Sequence, residues 1–467
     1  MPRVTSVVIV GGGPGGYEAA LVARQLGADV TVVDRDGLGG SAVLTDAVPS
    51  KALIATANVI SAATRSGTLG VLINGQTPDP SLVGVDLAAV NTRIKGLALA
   101  QSADIRARLE REGIRIITGT GRLDDSAQIV ATHRDASHEV LAAYVVLLST
   151  GARPRVMPEA MPDGERILTW EQVYDLPEVP ERLIVVGSGV TGAEFAGAYH
   201  ALGSRVVLIS SRDHVLPSED PDAARVLEEV YGRLGLEVLS RSRAVSARRT
   251  DDGVEVTLST GQTVEGSHVL MAVGSLPNSD GLNLAGNGVE TDERGFIRVD
   301  RVSRTSRRGV YAAGDCTGVL MLASVAAMQG RIAMWHALGD AVNPLELNHV
   351  SSTVFTDPEI ATVGLAQADL DAGRFRGDVV MVPLAPNARA KMGDHHDGFV
   401  KLFCRRGSRI VAGAVVVSPH ASELIHPLTI AVEQRLTVDQ LASTFTVYPS
   451  LSGSIAEAAR RLHIAAE

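Results

Sequence analysis

Cysteine is nearly absent from this 467-residue chain: two residues, Cys316 and Cys404, stand far apart and in no metal-ligand spacing. That excludes a disulfide framework and a zinc site, and it fits a reducing cytosol. Unbroken apolar runs are short. None approaches the roughly 18 residues that a membrane helix needs, so no integral membrane segment is expected. The start, MPRVTSVVIV, turns glycine-rich at once. Its apolar run is too short for a signal-peptide core, and a cytoplasmic protein is expected. Positive charge is in deficit, with a formal net charge of −10. A general affinity for nucleic acid is therefore not expected. Low-complexity stretches and long linkers are missing too, and no metal site is read.

What is present is one pattern used twice. SVVIVGGGPGGYEAALVARQLGADVTVVD and RLIVVGSGVTGAEFAGAYHALGSRVVLIS share the same order of parts. A β-branched run meets a glycine turn, then an alanine-rich helical stretch, a Leu-Gly stop and a second β-branched run. That is a βαβ unit with buried parallel strands. Gly27 and Gly203 fall where the helices should be capped. Strand-to-glycine-turn junctions recur in YVVLLSTGARPR, HVLMAVGSLPN and GVYAAGDCTG. From about residue 346 the pattern changes. NHVSSTVFTDPEIATVG, GFVKLFC and RIVAGAVVVSP predict a different, partly antiparallel sheet. SELIHPLTIAVEQRLTVDQLA and SGSIAEAARRL predict two amphipathic helices.

Gly11, Gly13 and Gly16 form G-x-G-x-x-G between strand and helix. The first glycine permits the tight turn, the second lets a pyrophosphate approach the backbone, and the third lets helix and strand pack. The helix N-terminus offers N–H groups and a positive dipole end to phosphates. Asp34 ends the next strand, where a carboxylate accepts hydrogen bonds from a ribose diol. Gly187, Gly189 and Gly192 repeat the fingerprint, but the strand-end residue is Ser210, followed by Ser211 and Arg212. A hydroxyl with a nearby guanidinium suits the 2′-phosphate of NADP, without excluding NADH. Two fingerprints imply two dinucleotides, most economically a flavin and a nicotinamide.

These segments, with PSKAL, MLASVAAMQG and NARAKMGDHHDGFVKL, resemble the pyridine nucleotide–disulfide oxidoreductases, the family of lipoamide dehydrogenase and glutathione reductase. The resemblance covers nearly the whole chain. It implies an α/β fold with two Rossmann-like dinucleotide-binding domains, for FAD and NAD(P), and a C-terminal α+β dimerisation domain. The expected divisions are 1–155 and 276–345 for FAD, 156–275 for NAD(P) and 346–467 for the interface of a homodimer. It implies FAD at the first fingerprint, with Asp315 and Ala323 beside it. Gly40, Ser41, Gly121, Thr150, Gly151, Gly274 and Gly314 would complete the cofactor-binding set. Lys51 would lie near the flavin, paired with Glu194. A cation there stabilises developing negative charge, and the carboxylate keeps the lysine from being an unpaired buried charge.

The departures matter more. Where the family carries its cysteine pair, this chain has Ala42 and Ala47. Alanine has no thiolate to attack a disulfide. Where the family has His-Pro-Thr-Leu-Ser-Glu, this chain has Tyr448-Pro449-Ser450-Leu451-Ser452-Gly453. Tyrosine, titrating near pH 10, is a poor neutral-pH base, and Gly453 cannot orient it. The chain looks most like the lipoamide-dehydrogenase-like NAD(P)H:quinone reductases. The expected chemistry runs from NAD(P)H through FAD to a quinone or a similar diffusible, dye-like acceptor, with Tyr448 contacting or protonating the acceptor or filling the imidazole's space. The rivals are a pyridine nucleotide transhydrogenase and a non-enzymatic, nucleotide-binding redox sensor or scaffold.

Overall fold

The computed structural model describes residues 5–78, 83–124, 126 and 128–464. Met1 to Val4, the start of the first apolar run, lie outside them. The chain forms two compact units. One comprises Met1–Ala52, Asn91–Arg155 and Gly274–Glu346; the other comprises Leu53–Val90, Val156–Val273 and Leu347–Glu467.

The first unit is built on a seven-stranded sheet. Its order is Val310–Ala312, Val145–Leu148, Ser6–Val10, Asp29–Asp34, Arg115–Leu123, Ile129–His133 and His138–Leu141. The first five strands run parallel and the last two antiparallel. Side chains alternate across a strand, so Val7 and Ile9 enter one core and Val8 and Val10 another. Both faces are covered, which is why the strand reads as a continuous Val/Ile run. Helices Pro14–Gln25 and Ala323–Ala337 pack together on one face. Their approach is close because Gly15 and Gly330 meet: a Cβ on Gly330 would lie 2.0 Å from the Gly15 carbonyl. The helix C-caps are Leu26 and Leu202, with Gly27 and Gly203 one position further in the left-handed conformation.

The second unit repeats the parallel architecture. Its sheet order is Glu237–Leu239, Arg205–Ile209, Arg182–Val186, His268–Met271 and Ile167–Leu168. A three-stranded antiparallel meander, Ala244–Arg249, Val254–Leu258 and Thr263–Gly266, was not anticipated. The C-terminal sheet runs Ser351–Val354, Glu359–Gly364, Val411–Ser418, Phe399–Arg405 and Gly377–Pro383. Every neighbouring pair in it is antiparallel, where only part was expected to be. Three helices, not two, cover one face: Ala421–Glu433, Val438–Ser443 and Gly453–Ile464. The extra break falls at Arg435, which has a positive φ. Thr437 then starts a new helix through a capping box with Gln440. That Thr-x-x-Gln signal was readable in the sequence.

The helices Ala47–Arg65 and Leu87–Arg111 were also unanticipated. The helical run Gly40–Leu69 is long and apolar enough to cross a membrane by length and composition alone, with 33% of its most apolar window buried. It reaches that level on average hydropathy rather than by an unbroken apolar run, and it carries Lys51 and Arg65.

Candidate functional site

The first fingerprint turn is sterically committed to glycine at both ends. Gly11 has φ +101, and a Cβ there would lie 2.1 Å from the Ser149 carbonyl. A Cβ on Gly16 would lie 1.9 Å from the Gly11 carbonyl, so helix and strand are in backbone contact. Gly13, the helix N-cap, faces open space instead: a Cβ there would meet only Gly40 Cα, at 3.9 Å. That opening at a helix N-terminus is where a phosphate fits. Gly39 N donates to Gly12 O at 2.8 Å and brings the Gly40–Ser41 turn over the fingerprint.

Asp34 anchors the same turn. Its Oδ2 accepts from Gly12 N at 2.7 Å, and its Oδ1 from Gly37 N at 2.6 Å and Asp36 N at 3.1 Å. Burial raises its pKa despite those amides. With about four acceptor positions on a carboxylate, room remains for about one further donor, such as a ribose hydroxyl.

Two more segments converge here. A Cβ on Gly15 would lie 2.7 Å from Ser149 Oγ and 3.1 Å from Ala313 Cβ. The strand ends before Thr150 and before Gly314 therefore meet the fingerprint helix. Gln329, 1% exposed, accepts from Gly314 N at 2.8 Å and holds the Gly314–Asp315 turn near Ala323, the first residue of its helix. Sequence reading passed over Gln329. Its signal was a lone amide in an apolar helix. Thr150 and Gly151 clasp the Asn278 turn: Thr150 Oγ1 donates to Asn278 O at 2.7 Å, and Asn278 N donates to Gly151 O at 3.0 Å. Gly274 accepts from Arg155 N at 2.9 Å in the same clasp. Gly121 lies beneath the turn, where a Cβ would press on Val10 Cγ2 at 3.0 Å.

Asp315 is the unusual group. Its side chain accepts no hydrogen bond among the described residues. Burial, aided by nearby Asp46, pushes its pKa up to about 6. A half-buried carboxylate next to the Gly314 turn, accepting no hydrogen bond from the described residues, fits a polyol such as the ribityl chain of FAD. A raised folded pKa means that the folded chain binds the extra proton. Stability of the FAD-free chain should therefore fall as pH rises from about 4 through about 6. Asp315→Asn should flatten that slope in thermal-denaturation curves. An unchanged slope would remove Asp315 as its source. Hydroxyl donors favour the ionised carboxylate, so a polyol bound at Asp315 should be held more weakly below about pH 6.

The second fingerprint copies the first. Gly187 has φ +109 with a Cβ position 2.2 Å from Ala272 O, and a Cβ on Gly192 would sit 1.7 Å from Gly187 O. Around Gly189 there is nothing within 4 Å of a Cβ. Ser210 takes the place of Asp34, but its hydroxyl is fully buried and lies 2.7 Å from Ser188 Oγ. Arg212 N donates to Ser210 Oγ at 3.1 Å. Arg241 N donates to Arg212 O at 2.9 Å, which sets two arginines side by side, and the Arg241 guanidinium turns to Asp213. Arg212 is exposed and has no carboxylate partner among the described residues. Glu194, on the fingerprint helix Val190–Ala201, is buried and accepts from Phe355 N at 2.8 Å.

Lys51 lies half-buried in the first turns of the helix Ala47–Arg65, which Ala47 opens; Ala42 sits in the short helix before it. Both cysteines are fully buried. Cys316 Sγ donates to Ala313 O at 3.3 Å, and burial pushes its thiol up to about 11. Burial also raises Cys404. Neither is a thiolate available to a substrate. Tyr448 is 86% exposed, and its neighbours Val447 and Phe445 are 76% and 102% exposed. Among the described residues no cluster of His, Cys, Asp or Glu could hold a metal.

Two glycine-turn dinucleotide sites on parallel sheets, followed by a separate antiparallel sheet, define an oxidoreductase that works with two dinucleotides. The chain belongs to the pyridine nucleotide-disulphide oxidoreductase family, whose description matches residues 5–330, and its dimerisation domain matches residues 350–459. Members of the family bind FAD and NAD(P)H. Among its relatives is the NAD(P)H dehydrogenase (quinone) of Mycobacterium tuberculosis, 54% identical over 98% of this chain and 94% of that one. Dihydrolipoyl dehydrogenase 2 of Haloarcula marismortui is 33% identical over 97% of this chain and 96% of its own. The crystal structure of LpdA from Mycobacterium tuberculosis superposes with a TM-score of 0.94 at 54% identity, covering 98% of this chain and 100% of that one.

Proposed function

We propose that the protein is an NAD(P)H:quinone oxidoreductase that works without a redox disulfide. The observation that carries this reading is the lack of any usable sulfur. Alanines occupy both positions of the cysteine pair, and the two cysteines present are sealed in cores. FAD, when bound, accepts the hydride of the nicotinamide and passes reducing equivalents to the acceptor. With no thiol relay, that acceptor must take them directly, as a quinone does. The relative's name, NAD(P)H dehydrogenase (quinone), supports the same acceptor class.

The chain's own residues have distinct tasks in this reading. Gly11, Gly13, Gly16, Gly40 and Ser41 cradle the FAD pyrophosphate, Asp34 takes the adenosine ribose, and Asp315 takes the polyol. Thr150, Gly151, Gly274, Gly314 and Ala323 shape the recess, and Gly121 makes room beneath it. Gly187, Gly189 and Gly192 receive the nicotinamide dinucleotide. Ser210 acts from within, because its hydroxyl is spent on Ser188 and on the Arg212 amide. Arg212 presents the charge that a 2′-phosphate requires. Lys51 stabilises negative charge that develops during reduction. Residues 1–155 with 276–345 form the flavin domain, 156–275 the nicotinamide domain and 346–467 the interface of a cytoplasmic homodimer. The uncovered strip Phe445–Tyr448 suits coverage by a second copy, with Tyr448 at the acceptor.

Purified, FAD-loaded protein should oxidise NADPH and NADH with a panel of quinones, NADPH being preferred. It should leave dihydrolipoamide and glutathione disulfide at background. Brisk turnover of either sulfur substrate would overturn the proposal. Hydride exchange between reduced and oxidised nucleotides, with quinones left untouched, would replace it with a transhydrogenase.

A further inference from the structure

The strand Phe399–Arg405 carries one charge into a buried place. Val400, Leu402 and Cys404 enter the core beneath the C-terminal helices. Alternation puts Phe399, Lys401 and Phe403 on the opposite face, and all three are buried, Lys401 being 3% exposed. The Lys401 ammonium donates to Asp220 Oδ2 at 2.9 Å and to Asp222 Oδ2 at 2.8 Å, and lies 5.6 Å from the centre of the Phe403 ring. Asp220 is itself buried, and it is also the N-cap of the helix Pro221–Leu234, accepting from Asp222 N at 2.9 Å. At the far end of that helix Arg233 pairs with Asp397, two residues before the same strand. That strand and the residues just before it therefore hold both ends of the helix.

The loop that Asp220 closes begins at Ser210. Within it, Leu216 N donates to Ser188 O at 2.8 Å, Val215 N donates to Glu228 Oε1 at 2.7 Å, and Ser210 meets Ser188. Ser188 stands between the first two glycines of the second fingerprint. Lys401 thus holds the start of the helix through Asp220, the helix holds the loop through Glu228, and the loop meets the glycine turn through Leu216 and Ser210. An apolar side chain would fill the same space without the desolvation of an ammonium, so packing alone does not account for a lysine here. A charge that must meet two carboxylates sets the position of the helix start, where an apolar contact could slide.

The geometry points to Lys401 as a positioning residue for the second dinucleotide site. It fixes where the helix Pro221–Leu234 begins, and so holds the Ser210–Asp220 loop, with Arg212, in register with the glycine turn. This rests on the assignment of the nicotinamide nucleotide to the second fingerprint. The device lies wholly in the chain's own residues and gives the C-terminal sheet a direct influence on nucleotide affinity.

Calorimetric binding of NADP⁺ to the FAD-loaded protein tests it, alongside steady-state KM for NADPH. Lys401→Met leaves the buried Asp220 without its cation, Asp222 keeping Arg225, so it is paired with a neutral variant, Asp220→Asn/Asp222→Asn/Lys401→Met, which retains an N-cap and buries no lone charge. Both should weaken NADP⁺ binding roughly five- to thirtyfold, with KM for NADPH rising in parallel. FAD content, kcat and KM for the quinone should stay near wild type, a split that general loss of stability would not produce. If the neutral variant is folded, FAD-loaded and binds NADP⁺ as tightly as wild type, Lys401 is only a packing residue. If the wild-type protein binds neither NADP⁺ nor NAD⁺, the underlying assignment fails instead.

Discussion

Gly16→Ala should give a chain that retains no FAD, while Gly192→Ala should give one that retains FAD and binds no nicotinamide nucleotide. The two substitutions are the same change made in two copies of one motif. In each, the new methyl would overlap a backbone carbonyl, at 1.9 Å from Gly11 O or 1.7 Å from Gly187 O. Overpacking a core typically costs about 1–3 kcal/mol, because side chains can shift. Here the obstacle is the turn itself, so relief requires the helix to lift from the strand. The helix N-terminus then moves away from the phosphates it serves. Affinity should fall by at least about a hundredfold in each case, the equivalent of roughly 2.7 kcal/mol. Flavin absorbance per chain reads the first variant. Nucleotide binding to the flavin-loaded protein reads the second. If Gly192→Ala lost FAD and Gly16→Ala kept it, the assignment of cofactors to the two turns would be reversed.

Lys51→Met should slow reduction by NADPH about 10²- to 10³-fold at unchanged FAD content, the usual cost of removing one charge stabiliser from a reacting centre. Lys51 is half-buried near the start of a long helix, just beyond the two alanines that stand for the sulfur pair. In the proposed reading this cation is the local counter-charge that the chain supplies to the negative charge developing on reduction. Methionine keeps most of the length and apolar stem, so a fall in rate at constant FAD content isolates the charge. Stopped-flow reduction is the measurement. A rate within twofold of wild type would make Lys51 a structural ion-pair residue.

Much of the site was readable before any coordinates. Gly11, Gly16, Gly187 and Gly192 were identified from spacing alone; Gly16 and Gly192 meet the carbonyls of Gly11 and Gly187 five residues back, whereas Gly11 and Gly187 also meet the distant carbonyls of Ser149 and Ala272, which only the fold brings there. Asp34 and Ser210 were both located at strand ends. The part each plays was not readable. Asp34 was expected to face a ribose, and it also ties down two amides of its own turn and the Gly12 amide of the glycine turn. Ser210 was expected to face the nucleotide, and its hydroxyl is turned inward to Ser188. The third C-terminal helix was missed although Thr437 and Gln440 announced it, because the apolar pattern continues across the break.

By itself, the order of residues determined the two βαβ units, the glycine turns and the absence of the family's cysteine pair. Each depends on which residue follows which, or on what is missing everywhere. Tertiary structure alone decided that Lys401 would meet Asp220 across a sequence separation of 181 residues, that Gln329 would hold the Asp315 turn, and that Phe445 and Tyr448 would stay uncovered in a single chain. The cost of burying a charge or exposing an aromatic ring is set by whatever the fold brings alongside, and no local pattern encodes that neighbour.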